Sequence, residues 1–248
     1  MKARLAGRPL SALLLDLDDT ILDDSAGFQE SWDLAVDRIL AGHPGIARAA
    51  LVAEVDRAKD WFWGDPERHR SGRQDLVGAR TAILVRALEV FGPADAALAR
   101  EASEVATELR DRHQRFLPGA LEALSRLREI VPALALVTNG AERPQRAKIV
   151  RFELEPFFDH IQVEGEFGVG KPEPAAYRNV LRCLGVAPEE CLMVGDNFEA
   201  DVLGAQGVGL HAAWVDKRRV GAPPARAPRP HWTIQHIQEL VDRLLREE

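Results

Sequence analysis

The amino-acid sequence predicts an α/β fold: a parallel sheet interrupted after its first strand by a helical module. Three observations predict it. An uninterrupted apolar run, Leu13-Leu14-Leu15, ends abruptly in carboxylates, as a fully buried strand of a parallel sheet would. Further strand candidates at 133–137, 160–163, 191–194 and 211–215 alternate with helical stretches near 141–152, 174–184 and 199–205, the pattern of βαβ units. Residues 28–114 show helical periodicity and no convincing strand.

Taken in order, the helical segments of that module fall near 28–40, 46–62, 76–91 and 94–116. Breaks at Gly42-His43-Pro44-Gly45, Gly64-Asp65-Pro66 and Gly92-Pro93 separate them, because Gly and Pro interrupt helices. Pro118-Gly119 then opens a helix over 120–130, and strands return. Residues 221–230 are rich in Pro, Ala and Arg and read as a surface loop, and 234–246 as an amphipathic helix. The expected division is a core domain of 1–22 and 114–248 with a helical domain of 23–113.

The chain has 248 residues, 46% of them hydrophobic and 29% charged, enough for a sizeable core. A net charge of -7 argues against a broad nucleic-acid surface, which needs a clustered positive footprint. It leaves room for a small anionic substrate held in a local positive pocket. No run approaches the ~20 apolar residues of a membrane span. The stretch Met1–Pro9 carries basic residues, but Asp16 soon interrupts the apolar run that follows, a poor secretion signal. Cys183 and Cys191 cannot form a disulfide framework and lack zinc-site spacing. A reducing cytoplasm is the expected location.

Each predicted strand ends in residues able to do chemistry. Asp16 and Asp18 follow the first strand and, at a side-chain period of two, project the same way while Leu17 points back into protein. Two carboxylates so close repel unless a cation or a shared proton intervenes. The second strand runs into Thr138-Asn139-Gly140, where a hydroxyl and backbone N–H groups before a helix can seat an anion. Gly170-Lys171-Pro172-Glu173-Pro174 follows the third strand, and Gly195-Asp196-Asn197-Phe198-Glu199-Ala200-Asp201 the fourth. Ligands in open α/β sheets bind at the carboxyl ends of the strands, so these loops can converge.

In order, Asp-x-Asp-x-Thr, a strand-end Thr, Lys-Pro and Gly-Asp-x4-Asp resemble the four motifs of the haloacid dehalogenase-like (HAD) hydrolase superfamily. The resemblance spans the sheet domain and implies a Rossmann-like core. The helical module resembles that superfamily's C1 cap, inserted after the first strand. Dehalogenase members differ at the second aspartate, whereas Asp18 matches the phosphatase branch.

The resemblance implies that Asp16 is a nucleophile forming an aspartyl-phosphate and that Asp18 is the acid and base. It implies Mg2+ on Asp16, the Asp18 carbonyl and Asp196, with Asp201 as a further metal or supporting ligand, and phosphate on Thr138, Lys171 and the backbone N–H groups of Leu17 and Asn139. Carboxylates suit this hard, oxygen-ligated ion. The expected activity is hydrolysis of a small soluble phosphomonoester, a sugar phosphate favoured. N-acylneuraminate-9-phosphate phosphatases are most similar at the first motif, and nucleoside-5′-monophosphate phosphatases are similar there too. Phosphoglycolate phosphatases and β-phosphoglucomutases share the scaffold but usually carry Gly where Asp19 stands. A phosphomutase using the same Asp16 is the alternative enzyme, and a non-catalytic binding module the alternative without chemistry.

Other features read as structural. Gly165–Lys171 begins like a nucleotide-binding P-loop, but Pro172 stands where that loop needs Ser or Thr. Asp19, Asp23 and Asp24 read as solvated turn residues, and Asn197 as the cap of the following helix. Trp61, Phe62 and Trp63 read as packing; Arg68, His69, Arg70 and Arg73 as a solvated basic loop. None of the seven histidines has metal-ligand spacing.

Overall fold

The computed structural model describes residues 3–5, 7–217, 221 and 228–246. A small hairpin of β1 (Arg4–Leu5) and β2 (Arg8–Pro9) precedes the strand β3 (Ala12–Leu15). Helices α1 (Phe28–Gly42), α2 (Arg48–Trp63), α3 (Pro66–Gln74), α4 (Leu76–Leu88) and α5 (Ala96–His113) follow. The chain then alternates: α6 (Ala120–Ile130), β4 (Ala133–Thr138), α7 (Glu142–Arg151), β5 (His160–Val163), α8 (Glu164–Phe167), α9 (Pro174–Leu184) and β6 (Cys191–Gly195). A π-helical turn (Phe198–Leu203), α10 (Gly204–Gln206), β7 (His211–Val215), β8 (Trp232–Ile234) and α11 (Ile237–Arg246) complete it. The chain divides into two compact units, Met1–Asp23 with Arg115–Glu248, and Asp24–Gln114.

In the first unit, among the described residues, six parallel strands lie in the order β5-β4-β3-β6-β7-β8. The chain fills the sheet outward from β3 through β4 to β5, then returns to the other side of β3 with β6. The strand order therefore reverses between β3 and β6, the position at which open α/β sheets form a ligand crevice beyond their carboxyl ends.

The apolar run of β3 is explained by burial on both faces. Ala12 and Leu14 pack with Tyr177, Val180 and Met193. Leu13 and Leu15 join the larger cluster with Leu124, Leu127, Ile149 and Leu240. Helices thus cover both faces of the sheet, and each buried leucine contributes roughly 1.5–3 kcal/mol. The last helix shows how its face is chosen: Ile237, Leu240, Val241 and Leu244 are its buried residues, spaced three and four apart.

The second unit has its own core, with Trp32, Ile39, Leu51, Phe62, Ile83 and Leu84 among its buried residues. Aspartates start three of its helices. Asp65 Oδ1 accepts from the Arg68 N–H at 2.9 Å, Asp75 Oδ1 from Gly78 at 2.8 Å, and Asp95 Oδ1 from Ala97 and Leu98 at 3.0 and 2.9 Å, each supplying an acceptor that the first helical turn lacks.

The structure corrects several expectations. Arg68, His69, Arg70 and Arg73 lie on α3, not in a loop: Asp65 caps this helix and Pro66 occupies its first position, where the missing N–H costs nothing. Arg68 lies 4.2 Å from the Trp61 ring and Nη2 donates to the Trp61 carbonyl at 2.7 Å. The hairpin β1–β2, the strand β8 and the helix α8 have no counterpart in the sequence reading, being two to four residues long and too short for periodicity to register. The final helix starts at Ile237 rather than 234, because Trp232–Ile234 pairs with β7. Most of the expected 221–230 loop lies outside the described residues. Among the described residues no helix is long and apolar enough to cross a membrane.

Leu14→Ala should cost about 3 kcal/mol of unfolding free energy, the usual toll of a cavity at a fully buried leucine. Denaturant unfolding measures it, and a loss below about 1 kcal/mol would mean that the Tyr177 cluster closes around the gap.

Candidate active site

Three residues after β3 the backbone turns back on itself. The Asp16 N–H still donates to the Val194 carbonyl at 2.9 Å, extending the ladder to β6. The Leu17 carbonyl accepts from Ile21 and Leu22 at 2.9 and 3.0 Å, and the Leu17 side chain is buried in the larger core. Asp19 adopts the left-handed region with φ 56° and its N–H donates to the Leu22 carbonyl at 2.7 Å. Asp is among the few residues that tolerate this conformation, which glycine adopts at no steric cost.

Asp19 and Asp23 are not solvated turn residues. Lys217 Nζ bridges them, 2.8 Å from Asp19 Oδ1 and 2.6 Å from Asp23 Oδ1, and Arg115 adds a second cation on Asp23 at 3.1 Å. Asp24, at the start of the other unit, pairs with Arg110 and accepts from Gln114 at 3.3 Å. Sequence spacing gives no hint of Lys217, which follows β7, two strands away from β3 in the sheet order.

Lys171 binds the turn to the loop after β6. Its side chain is almost fully buried, and Nζ lies 2.6 Å from Asp16 Oδ1 and 2.7 Å from Asp201 Oδ1. Asn139 fixes the backbone that presents it: Oδ1 accepts from the Lys171 N–H at 2.8 Å and Nδ2 donates to the Lys171 carbonyl at 2.7 Å. Gly170 is required here, since a Cβ would collide with Glu164 and Asn139 Oδ1. Glu164 is engaged in turn, accepting from the Gly140 N–H at 2.9 Å. Asp201 Oδ2 accepts from the Asn197 N–H at 2.9 Å, and Asn197 Oδ1 caps the π-helical turn through Ala200 at 2.9 Å, as its residue type suggested. Gly195 leaves the room Asp201 occupies. The Asp196 carbonyl accepts from Trp214 Nε1 at 2.9 Å.

Asp16, Asp196 and Asp201 each offer a carboxylate oxygen, all within 4.8 Å of one another. Burial pushes the Asp16 carboxyl up to about 7, Lys171 pulling it down and Asp201 and Asp18 pushing it further up. Burial likewise pushes Asp196 up to about 8, with Asp16 and Asp201 adding like-charge repulsion. Burial lowers the tendency of Lys171 to stay charged, but Asp16 and Asp201 outweigh it and raise its pKa. One ammonium thus faces more negative charge than it neutralises. A hard cation with oxygen ligands fits the remaining charge and the donor set.

Asp18 is held by a different pair. Lys148 Nζ lies 2.7 and 2.8 Å from its two carboxylate oxygens, and Gln145 Nε2 donates to Oδ2 at 3.0 Å. Both come from α7, a stretch whose sequence shows only helical periodicity. Their spacing of three places them on one helix face, the signal that could have singled them out. Thr138 is buried at the end of β4, with Oγ1 3.4 Å from the Asn139 carbonyl, long for a hydroxyl bond. The structure therefore brings Asp16, Lys171, Asp201 and Asp196 together directly. Asn139 supports Lys171 through its side chain. Beside them a cavity of about 360 Å³ is lined by Asp19, Asp196, Phe198, Trp214 and Lys217 among others.

The haloacid dehalogenase-like hydrolase profile matches residues 10–209, so the chain belongs to that family of hydrolases. It is similar to the phosphoserine phosphatase of Thermus thermophilus, 35% identical over 237 residues that cover 88% of this chain and 94% of that protein. The N-acylneuraminate-9-phosphatase of Rattus norvegicus is 31% identical, covering 92% of this chain and 91% of its own. Among solved structures, magnesium-bound HAD-hydrolase YfnB from Bacillus subtilis superposes with a TM-score of 0.70 at 25% identity, covering 94% of this chain and 98% of the other.

Asp16 and Asp196 keep their protons to higher pH in the fold than in the unfolded chain, where their value is 3.8. Their contribution to stability is therefore complete below that value and is lost as pH rises through about 7 and about 8. A divalent cation on the ionised carboxylates would offset this loss. The gain in melting temperature from Mg2+ over EDTA should thus grow as pH rises from 5 to about 8. A gain independent of pH would place the ion elsewhere.

Proposed function

We propose that the chain is an Mg2+-dependent phosphatase that hydrolyses a small soluble phosphomonoester, a sugar phosphate favoured, in the cytoplasm. One observation carries the reading. Asp16, at the carboxyl end of β3, shares the buried Lys171 ammonium with Asp201, and Asp196 completes a carboxylate cluster around it. Such a set positions a nucleophile and neutralises a phosphoryl group, which is most of what phosphoryl transfer needs.

Asp16 attacks phosphorus while the bond to the leaving oxygen breaks, giving an aspartyl-phosphate. Asp18 gives the leaving alkoxide its proton. Water then attacks the same phosphorus, Asp18 takes its proton, and the bond to Asp16 breaks to release phosphate. Lys171, the Thr138 hydroxyl and the N–H groups of Leu17 and Asn139 hold the phosphoryl oxygens. The carboxylates of Asp16 and Asp196 and the Asp18 carbonyl would hold Mg2+, with Asp201 in support; the ion supplies charge neutralisation at the phosphoryl group. Two relatives act, by their names, on phosphoserine and N-acylneuraminate 9-phosphate, so sugar-acid and amino-acid phosphates belong beside plain sugar phosphates among the candidates.

The test is release of inorganic phosphate from a panel of sugar, sugar-acid, amino-acid and nucleoside phosphates, with Mg2+ and with EDTA. Turnover with Mg2+ is expected, and Asp16→Asn should lower kcat by at least about 10³-fold. Isomerised sugar phosphate without free phosphate would favour the mutase instead. No turnover of any panel member would remove the phosphatase reading, and an active Asp16→Asn would remove Asp16 as nucleophile.

A further inference from the structure

Lys148 and Gln145 have no part in the reaction as written above, yet both are more than nine-tenths buried, with 8% and 6% exposed. A lysine so deep in protein needs a charged partner. Lys148 Nζ donates to both oxygens of Asp18, at 2.7 and 2.8 Å. Gln145 Nε2 donates to Asp18 Oδ2 at 3.0 Å and to the Asn139 carbonyl at 2.8 Å. The same amide nitrogen thus ties the Asp18 carboxylate to the loop after β4, whose Asn139 side chain holds the Lys171 backbone.

The other end of Gln145 shows what this arrangement forgoes. Gln145 Oε1 is buried without a hydrogen-bond partner. Turning the amide over would set its oxygen against the Asp18 carboxylate and the Asn139 carbonyl, two acceptors, so these two groups together fix the orientation. An unsatisfied buried acceptor is destabilising, and a side chain selected for packing alone would not leave one. The donors are placed for the carboxylate.

We propose that Lys148 and Gln145 are positioning residues that fix the Asp18 carboxylate for its work as acid and base. The inference rests on the role given to Asp18 above. Three donor contacts from one face of α7 hold both oxygens, so Asp18 is restricted in position and in rotation before substrate arrives. General acid catalysis contributes about 10²–10⁴-fold, and a displacement of about 1 Å in a reacting group costs about 10²-fold. Orientation by α7 therefore matters most where the leaving group needs a proton.

That dependence supplies the test. A 4-nitrophenolate leaves without protonation, whereas an alkoxide does not. Single-turnover release of the leaving group is measured with enzyme in excess, for 4-nitrophenyl phosphate and for the alkyl phosphomonoester of the panel that the wild type turns over fastest. Lys148→Met should slow alkyl release by about 10²-fold and 4-nitrophenol release by no more than about 3-fold. Asp18→Asn should show the same selectivity, and the double variant should be no slower than Asp18→Asn alone. Lys148→Arg, which keeps charged donors, should recover most of the alkyl rate, and Gln145→Leu should lose about 10-fold on the alkyl ester only. These two variants decide the matter should Lys148→Met not fold. Equal losses on both esters, additive losses in the double variant, or no loss on either would overturn the assignment. A wild type inactive on every ester would instead remove the phosphatase reading itself.

Discussion

The site depends on one buried ammonium. Lys171 sits between Asp16 and Asp201, carboxylates that come from opposite sides of the β3–β6 crevice. Burying either acid alone would be costly, and burying the lysine alone equally so. Together they form a unit in which the two acids hold the Lys171 ammonium in its charged state, and further bonds from Asn139 and Asn197 orient the group. Breaking one member leaves uncompensated charge, which is why such a cluster is rigid. The same arithmetic leaves an excess of negative charge, which a hard cation on the carboxylates would balance.

The site is layered around that unit. The glycines at 170 and 195 give side chains of neighbouring loops the space they need. Asn139 holds the backbone on both sides of the Lys171 Cα. Lys217 secures the turn after β3 by holding Asp19 and Asp23, so the strained left-handed residue is tied to β7's carboxyl end. Supporting contacts of this kind set how well the reacting groups are preorganised.

The fold class was legible because β3 is buried on both faces, so Leu13-Leu14-Leu15 had to be a continuous apolar run. The strands at 160–163 and 211–215 and the helix at 174–184 fall at their expected bounds, since Pro174 and Gly185 mark that helix's ends. The acids at 16, 196 and 201 and Lys171 were legible because they follow strand ends in a parallel sheet. What escaped were residues whose meaning is wholly tertiary. Lys148, Gln145 and Lys217 are ordinary on their own elements and become special through acids far away in the chain. Asp19 and Asp23 were misread for the same reason: nothing nearby in the sequence announces a lysine from the end of β7. Short elements such as β8 were missed because three residues carry no period.

The order of the strands also bears on how the protein comes to be. Ala12 pairs with Ala133 on one side and with Cys191 on the other, so the strand that leads into Asp16 is made more than a hundred residues before either neighbour. Between them the chain lays down Asp24–Gln114, which has a core of its own and can settle from contacts local to it. The sheet must then close long loops before any of its pairings is rewarded. Until β6 arrives, an apolar strand edge stays open to the wrong partner. Assembly of the catalytic crevice is therefore the late and vulnerable event in folding, and the module that interrupts the sheet sets how long that exposure lasts.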